Sequence, residues 1–484
     1  MRLWRAAPIV VGFACLVGLP EGASAATVGV VVKRVSVGEG AIELDQRLVL
    51  RAKPGERNRV RLVFAGRSVT IRDRAGVEPL RGCRLISDIG TTARCELRAI
   101  YARAVVSLGD GNDVARLAGL VVGKTFRGRL RRRPVGGEFH AGSGDDIVIG
   151  GDGHGAGPPN FSGQELNGGP GDDLLVGGHE SGRFRGGAGR DRMIGGPNPD
   201  YFLEDKGANG SDTIAGGRPK TLREASDAGD EAWYSKRRRG VAADLDGRRD
   251  DGQHGERDRL VGIEAIQSGS GSDRLTGDRG PNELSGGPGA DYLAGGRGED
   301  SLHGDAGPDE LIGGPDADLI DAGSGGDRVL ADDGSQDDIA CGFGPDTALL
   351  DGFDFFVNEE NYLGERDLAC DQVTRSGPVG LLFLGEIQLR RLRQGAVETT
   401  YDAGCPGDAL HCDGTLSLVY KERILFTHSI SLDGNMRETF VDSAPKDALD
   451  GLPRTRFPGT VSVSFIDPSG TTVERRTAVT VRVF

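Results

Sequence analysis

The stretch GGPGADYLAGGRGED at residues 286–300 decides the fold of this chain. It holds six glycines, and Asp291 and Asp300 are nine residues apart. Glycine is unfavourable inside helices and tolerates backbone angles that other residues avoid, so the stretch predicts tight turns. The three residues that follow each aspartate predict a short strand, whose middle residue points to one face.

The nine-residue spacing continues on both sides of this stretch. Seven consecutive positions share it: Asp273, Asn282, Asp291, Asp300, Asp309, Asp318 and Asp327. Two residues after each stands an aliphatic side chain: Leu275, Leu284, Leu293, Leu302, Leu311, Ile320 and Val329. The spacing slips by one residue at Asp337 and resumes at Asp346. A weaker array precedes it, with Asp146, Asp173, Asp191 and Asp200. Degenerate copies of the unit surround Asp113 and Asp212.

The period predicts how the units stack. Because each short strand must reverse direction, successive turns fall on opposite sides, and two units make one coil of 18 residues. The carboxylates then form columns in which neighbours lie about one strand spacing, roughly 4.8 Å, apart and repel one another. Calcium accepts oxygen ligands in flexible geometry, so we expect several Ca²⁺ ions between the coils.

The units GGPGADYLA, GGRGEDSLH and GDAGPDELI resemble the nonapeptide of RTX, or haemolysin-type, calcium-binding proteins. The resemblance implies an all-β chain built on a right-handed parallel β-roll with calcium between the turns. It assigns turn positions to Gly286, Gly287, Gly289, Gly295, Gly296 and Gly298. With the stacking, it predicts these metal ligands: Asp146, Asp173, Asp191, Asp200, Asp273, Asn282, Asp291, Asp300, Asp309, Asp318, Asp327 and Asp346. The turn DDGSQD at 332–337 lacks the leading glycines, so calcium binding near Asp318 and Asp337 is left open.

The composition along the chain predicts a modular organisation. Valine-rich runs indicate an N-terminal β domain similar to the cap of actinobacterial calcium-repeat proteins, and the C-terminal runs suggest an Ig-like β-sandwich. The predicted segments are a signal peptide at 1–25, an N-terminal β domain at 26–135, a first calcium-repeat array at 136–215, an insert at 216–265, a second array at 266–351, a disulfide-tied connection at 352–376 and the β-sandwich at 377–484.

Six cysteines follow the N-terminal segment, in three close pairs: Cys83 with Cys95, Cys341 with Cys370, and Cys405 with Cys412. An even number of cysteines in an exported chain favours disulfides. Pairing between neighbours is one of 15 possible connectivities. Zinc is the alternative, although no pair has the two-residue gap typical of zinc sites.

The first 25 residues have the pattern of an export signal. Arg2 and Arg5 precede an apolar stretch, and small residues end it at Ala23 and Ala25. Lipid attachment at Cys15 is the competing interpretation. No later apolar run reaches the roughly 20 residues of a membrane span. We therefore expect an extracellular protein without a membrane span.

The charge of the chain excludes one class of partner. A formal net charge of −14 and a pI near 5.1 argue against nucleic acid, which requires a basic face. The basic run Lys236 to Arg239 suggests either an anionic partner or a solvated loop. Because Asp244, Asp246 and two further aspartates follow at once, we expect the solvated loop.

A search for catalytic motifs finds no HExxH and no GxSxG, so we expect no enzyme activity. The sequence predicts a secreted calcium-binding protein with a structural role or an interaction role, in which a polysaccharide or protein partner is possible. One alternative is a secreted hydrolase, for instance one that acts on polysaccharide, with the roll as its scaffold. The other alternative is an adhesin that binds cell wall or matrix through residues 377–484.

Overall fold

The computed structural model describes residues 26–36, 42–53, 55, 57–66, 68–87, 90–96, 102–124, 130–133, 136–150, 164–178, 181–207, 209–217, 229–356, 370–376, 382–391, 397–405, 411–421, 423–433, 436–444, 456–466 and 471–483. Every regular element in these ranges is a strand, so the all-β prediction is confirmed. The predicted signal peptide at 1–25 lies outside them. No helix in the described ranges is long and apolar enough to cross a membrane.

The described residues form 41 strands. The N-terminal region forms β1 (Ala26–Ser36), β2 (Ile42–Arg51), β3 (Arg59–Gly66), β4 (Ser68–Arg72), β5 (Val77–Pro79), β6 (Cys83–Leu85), β7 (Thr92–Glu96), β8 (Ala102–Ser107), β9 (Val114–Lys124) and β10 (Leu130–Arg133). The first array and the insert form β11 (Gly136–His140), β12 (Ile147–Ile149), β13 (Gln164–Pro170), β14 (Leu174–Val176), β15 (Gly182–Ala188), β16 (Arg192–Ile194), β17 (Tyr201–Leu203), β18 (Thr213–Ala215), β19 (Glu231–Trp233), β20 (Val241–Asp244), β21 (Gly252–Gln253), β22 (Arg259–Val261) and β23 (Ala265–Gln267).

The second array and the C-terminal region supply the remaining strands. The array and its connection form β24 (Arg274–Thr276), β25 (Glu283–Ser285), β26 (Tyr292–Ala294), β27 (Ser301–His303), β28 (Glu310–Ile312), β29 (Leu319–Asp321), β30 (Arg328–Ala331), β31 (Asp338–Ala340), β32 (Thr347–Asp351), β33 (Phe355–Phe356) and β34 (Gln372–Ser376). The C-terminal region forms β35 (Leu382–Arg391), β36 (Val397–Cys405), β37 (His411–Tyr420), β38 (Arg423–Asp433), β39 (Met436–Ala444), β40 (Arg456–Ile466) and β41 (Thr472–Val483).

Three sheets form the roll. The long sheet has 15 strands in the order β33-β31-β29-β27-β25-β23-β19-β17-β15-β13-β11-β8-β2-β1-β5. The first short sheet has 11 strands, running from β22 through β18, β16, β14, β12, β9, β3, β4 and β7 to β6, with β10 on β9. The second short sheet has eight strands in the order β21-β20-β24-β26-β28-β30-β32-β34. Alternate strands of the arrays thus belong to the long sheet and to one of the two short sheets.

The register shows the predicted coil. Leu275 pairs with Leu293 and Leu293 with Leu311 in parallel, whereas Leu284 pairs with Leu302 in the long sheet. Paired residues are therefore 18 positions apart, as two nine-residue units require. These leucines are the middle residues of their strands, and all are fully buried between the sheets. The β-roll prediction is confirmed, and its core is a line of single aliphatic side chains.

The N-terminal strands join the same sheets as the repeats. In the long sheet β2 pairs with β8 and β8 with β11, and in the first short sheet β3 pairs with β9 and β9 with β12, all in parallel. One hydrophobic core extends from Ala26 to Cys370. The repeats are thus stacked on N-terminal coils in which the only copy of the repeat noted in the sequence is the degenerate one around Asp113, directly before β9.

The C-terminal strands form a curled sheet of their own, in the order β38-β37-β40-β41-β35-β36-β39, with a separate core. The suggested Ig-like β-sandwich has two separate sheets. The described C-terminal strands form one sheet, because β35 pairs with β36 on one side and with β41 on the other. Arg475 of β41 donates to the carbonyl oxygen of Gly352 at 3.1 Å and lies over the Phe353 ring. This contact joins the sheet to the end of the roll.

The three predicted disulfides are present: Cys83–Cys95, Cys341–Cys370 and Cys405–Cys412. The first joins the paired strands β6 and β7. Neighbour pairing is therefore confirmed.

Candidate metal centre

Three columns of acidic side chains run along the roll, each at the residue that precedes a strand. We call them ladders. The first ladder is Asn58, Asp113, Asp146, Asp173, Asp191, Asp212 and Asp258. The second ladder is Asp273, Asp291, Asp309, Asp327 and Asp346. The long-sheet ladder is Asn282, Asp300, Asp318, Asp337 and Asp354.

One oxygen of each ladder carboxylate is used to connect the coils. In the second ladder the backbone N–H of Asp273 donates to Oδ1 of Asp291, and that of Asp291 donates to Oδ1 of Asp309, at 2.7 and 2.8 Å. The same bond recurs down the first ladder at 2.6 to 2.8 Å and down the long-sheet ladder at 2.8 to 3.1 Å. Oδ1 therefore replaces a backbone carbonyl at the corner where strand pairing begins.

The second oxygen, Oδ2, is buried and has no hydrogen-bond partner among the described residues in twelve ladder aspartates. They are Asp113, Asp146, Asp173, Asp191, Asp212, Asp291, Asp300, Asp309, Asp318, Asp327, Asp337 and Asp346. A buried polar atom without a partner costs about 1–3 kcal/mol, and more when it is charged. Its repetition in coil after coil indicates a group that the protein does not itself supply.

Electrostatics points to the same missing group. Burial, together with the charge of the neighbouring ladder aspartate, raises the pKa of Asp291 and of Asp309 from 3.8 to about 7. The pKa of Asp300 and of Asp318 is also raised to about 7, again mainly by burial. The ladders thus hold carboxylates whose ionisation is unfavourable until a cation lies beside them.

The turn glycines lie against these oxygens. A Cβ at Gly286 would be 2.6 Å from Oδ2 of Asp291, and one at Gly295 would be 2.4 Å from Oδ2 of Asp300. Gly287, Gly296 and Gly298 have positive φ, and a Cβ at Gly289 would be 1.8 Å from the carbonyl oxygen of Gly271. A side chain at Gly286 or Gly295 would therefore fill the space beside the free carboxylate oxygen.

Three of the predicted ligands already have protein partners for the oxygen in question. Ser268 donates to Oδ2 of Asp273. Asp200 accepts from the backbone N–H groups of Gly182 and Gly196, both at 2.5 Å. The amide oxygen of Asn282 accepts from the backbone N–H of Asp278 at 2.8 Å. Asp273 and Asn282 are the first residues of their ladders. Asp200 continues a column, because its backbone N–H donates to Oδ1 of Asp230 and its Oδ1 accepts from Gly182.

Three of the twelve aspartates with an unpartnered Oδ2 were left out of the predicted ligands, namely Asp113, Asp212 and Asp337. The signal that could have found them is the buried aliphatic or alanine two residues later: Ala115, Ile214 and Ile339. The spacing between coils varies here, because Asp113 and Asp146 are 33 residues apart and Asp212 and Asp258 are 46 apart. A strict nine-residue search therefore misses them.

The insert carries a different kind of site. Arg237 is fully buried and donates to Glu204, Glu256 and Asn209 at 3.1, 3.0 and 2.8 Å. The expectation that the run Lys236 to Arg239 forms a solvated loop is therefore wrong for Arg237, while Lys236, Arg238 and Arg239 are exposed. The physical reason is that the roll turns this residue inward against two carboxylates that would otherwise be buried without a counterion.

The donor set of the ladders fits calcium. Each orphaned atom is a carboxylate oxygen, a hard ligand, and the glycine turns leave room beside it. The residues that would hold the ion are the twelve aspartates with an unpartnered Oδ2. A bound cation would satisfy these oxygens and neutralise the column.

The fold and the ladders define a calcium-binding β-roll. The family model of the RTX calcium-binding nonapeptide repeat matches the chain in four copies, at residues 138–155, 167–202, 267–302 and 294–329. These segments of the chain thus carry RTX, or haemolysin-type, calcium-binding nonapeptide repeats. No curated protein matches it.

Proposed function

We propose that this is a secreted protein whose β-roll folds on binding Ca²⁺ between its stacked turns and then serves as an extracellular structural or interaction module. The observation that carries the proposal is the recurrence of a buried carboxylate oxygen without a hydrogen-bond partner at twelve ladder aspartates of the described residues. A protein that used the roll only as an inert spacer would gain nothing from these charges.

The proposed ligands are the twelve aspartates with an unpartnered Oδ2, nine of which the sequence predicted and three of which, Asp113, Asp212 and Asp337, it did not. If each site binds in the roughly 10⁻⁴ M range of extracellular modules, millimolar calcium stabilises the fold by about 1.4 kcal/mol per site. Five sites would then contribute about 7 kcal/mol, which is comparable to the net stability of a domain. Calcium would decide whether the second array is folded.

Two properties support an extracellular location. Three disulfides connect the described chain, and such bonds are rare in reducing compartments. Sites of modest affinity also need the millimolar calcium found outside cells. The export pattern of residues 1–25 is consistent with both.

Circular dichroism of the disulfide-bonded protein tests the proposal. We expect the β signal to increase when calcium is raised from chelator conditions to about 5 mM, a concentration well above the roughly 10⁻⁴ M range assumed here. Magnesium at the same concentration is the control, and it should give a much smaller change because it demands strict octahedral geometry. Identical spectra in chelator and in calcium would refute the proposal.

A further inference from the structure

One turn of the roll departs from the others. Residues 332–337, DDGSQD, carry Asp333 at the second position, which is Gly287, Gly296 or Gly314 in other turns. The turn lies beyond residue 329, where the family match ends. Its coil is one residue longer than the preceding coils of the second array, because Asp318 and Asp337 are 19 positions apart whereas Asp300 and Asp318 are 18 apart. The sequence therefore loses the leading glycines here and gains a carboxylate.

The added carboxylate lies beside two ladder residues. One carboxylate oxygen from each of Asp318, Asp333 and Asp337 lies within 4.8 Å of the other two. Asp333 is exposed, whereas Asp318 and Asp337 are 4% and 0% exposed. Three negative charges therefore meet at one point between two coils.

A second observation shows that this is more than an acidic surface. Oδ2 of Asp318 and Oδ2 of Asp337 are both buried without a hydrogen-bond partner. A cation at the point where the three side chains meet would satisfy both of these oxygens.

Oδ1 of Asp333 accepts from the backbone N–H of Ser335 within its own turn. The other second-position aspartates differ from Asp333 in that they do not form such a group with two ladder carboxylates. Oδ1 of Asp278 accepts from the backbone N–H groups of Arg279 and Gly280 within its own turn. Oδ2 of Asp305 accepts from Ser285 and from the backbone N–H of Gly287 on the adjacent coil. Neither belongs to a group of three carboxylates within ligand distance of one another.

We propose that Asp318, Asp333 and Asp337 form a three-carboxylate Ca²⁺ site that differs from the repeat sites and fills before them. The inference rests on the proposed function, because Asp318 and Asp337 are ladder residues. The affinity of calcium sites rises with the number of charged ligands. Asp333 adds a third carboxylate where three other turns have Gly287, Gly296 and Gly314. We therefore expect this coil, at the C-terminal end of the roll, to order at a lower calcium concentration than the others.

Calorimetric titration of the calcium-free, disulfide-bonded protein with Ca²⁺ tests this site. We expect one tight class of binding followed by weaker classes. Asp333→Asn should weaken the tight class at least about tenfold, because the number of charged ligands sets calcium affinity, and should leave the weaker classes unchanged. Asp332→Asn is the matched control: it removes the same charge from the adjacent exposed residue, which is not part of the group, and should change the tight class less than about twofold.

The outcomes distinguish the three-carboxylate site from calcium binding by the repeat sites. Calcium uptake by the wild-type protein with an unchanged tight class in Asp333→Asn overturns the three-carboxylate site and leaves the repeat sites intact. Equal weakening by Asp332→Asn also overturns it, since the effect is then one of general charge. No calcium uptake by the wild-type protein overturns the proposed function and this site together. Circular dichroism in saturating calcium confirms that both variants retain the roll.

Discussion

The two arrays and the junction between them, where Tyr234 and Arg237 meet Glu204, Glu256 and Asp258, all bury carboxylates. The charge and hydrogen-bonding needs of these carboxylates are met in opposite ways. At the junction, Tyr234 donates to Oδ2 of Asp258 at 3.2 Å, and Arg237 donates to Glu204 and Glu256. In the arrays, Oδ2 of Asp291 and of its counterparts has no such partner. The junction thus carries its own cation, and the arrays depend on one from solution.

The difference shows which part of the roll needs calcium to keep its charges balanced. A buried guanidinium is always charged and cannot leave, so the junction keeps its charge balance at any calcium concentration. An ion between turns exchanges with solvent, so the arrays keep their balance only above a threshold. We expect the junction to remain ordered under conditions in which the second array unfolds, and four predictions test this contrast.

The largest effect is expected from Arg237→Gln. Removing the guanidinium leaves two buried carboxylates without a counterion, which costs about 3–5 kcal/mol. Because the loss is not one of calcium, it should be similar in chelator and in calcium. Urea unfolding followed by Trp233 fluorescence measures it, since the only other tryptophan is Trp4 in the predicted signal. Arg238→Gln, on an exposed neighbour, is the control, and full recovery of Arg237→Gln by calcium would contradict the contrast.

Next in size is Gly307→Ala, compared with Gly255→Ala. Both glycines have positive φ, at 131° and 100°. An added Cβ at Gly307 would lie 1.4 Å from the carbonyl oxygen of Gly289 on the adjacent coil, whereas at Gly255 in the insert it meets nothing within 4 Å. We expect about 1–2 kcal/mol for backbone strain alone at Gly255 and about 3 kcal/mol or more at Gly307. Equal decreases in melting temperature for the two variants would contradict the close approach of the two coils at Gly307.

A smaller effect is expected from Asp291→Asn. The amide oxygen can still accept the N–H of Asp273, but the site loses one negative charge. Stabilisation by millimolar calcium should fall by about 1.4 kcal/mol, and stability in chelator should not fall. The exposed Glu299→Gln removes a charge from the adjacent turn and serves as the control. A loss of stability in chelator equal to that in calcium would mean that the carboxylate is structural only.

The smallest effect concerns pH. Because burial raises the pKa of Asp291 and of Asp309 to about 7 in the calcium-free roll, the folded state binds protons more tightly than the unfolded chain between pH 3.8 and about 7. The free energy of unfolding of the calcium-free roll should therefore fall as pH rises through this window. Protons compete with calcium for the ligand carboxylates. Moving from pH 7.5 to 6.5 should therefore raise the calcium concentration at the midpoint of the binding titration about threefold per carboxylate. A midpoint that does not change with pH would argue against ligands of raised pKa.

The repeat arrays were predictable because their information is local. The spacing of Asp291, Asp300 and Asp309 and the aliphatic two residues later fixed the turn, the strand, the buried side and the 18-residue register. Close cysteine pairs likewise anticipated the disulfides. Each of these features depends on residues fewer than 30 positions apart.

The rest depended on contacts that the chain makes across longer distances. Arg237 meets Glu204, 33 residues away, and Asp258 accepts from the backbone of Asp212, 46 residues away. The N-terminal strands extend the roll without its repeat, since β2 pairs with β8 through backbone hydrogen bonds that need no particular side chain. Strand pairing of this kind leaves little trace in a single sequence.

The sequence by itself determined a glycine-rich β-roll with columns of acidic side chains, because turn geometry and strand alternation repeat every nine residues. Only the tertiary structure decided which carboxylate oxygens remain without a partner, that Arg237 is buried, and that Asp333 joins Asp318 and Asp337. The physical reason is that the balance of a buried charge is set by all the groups around it in space, and those groups come from separate coils.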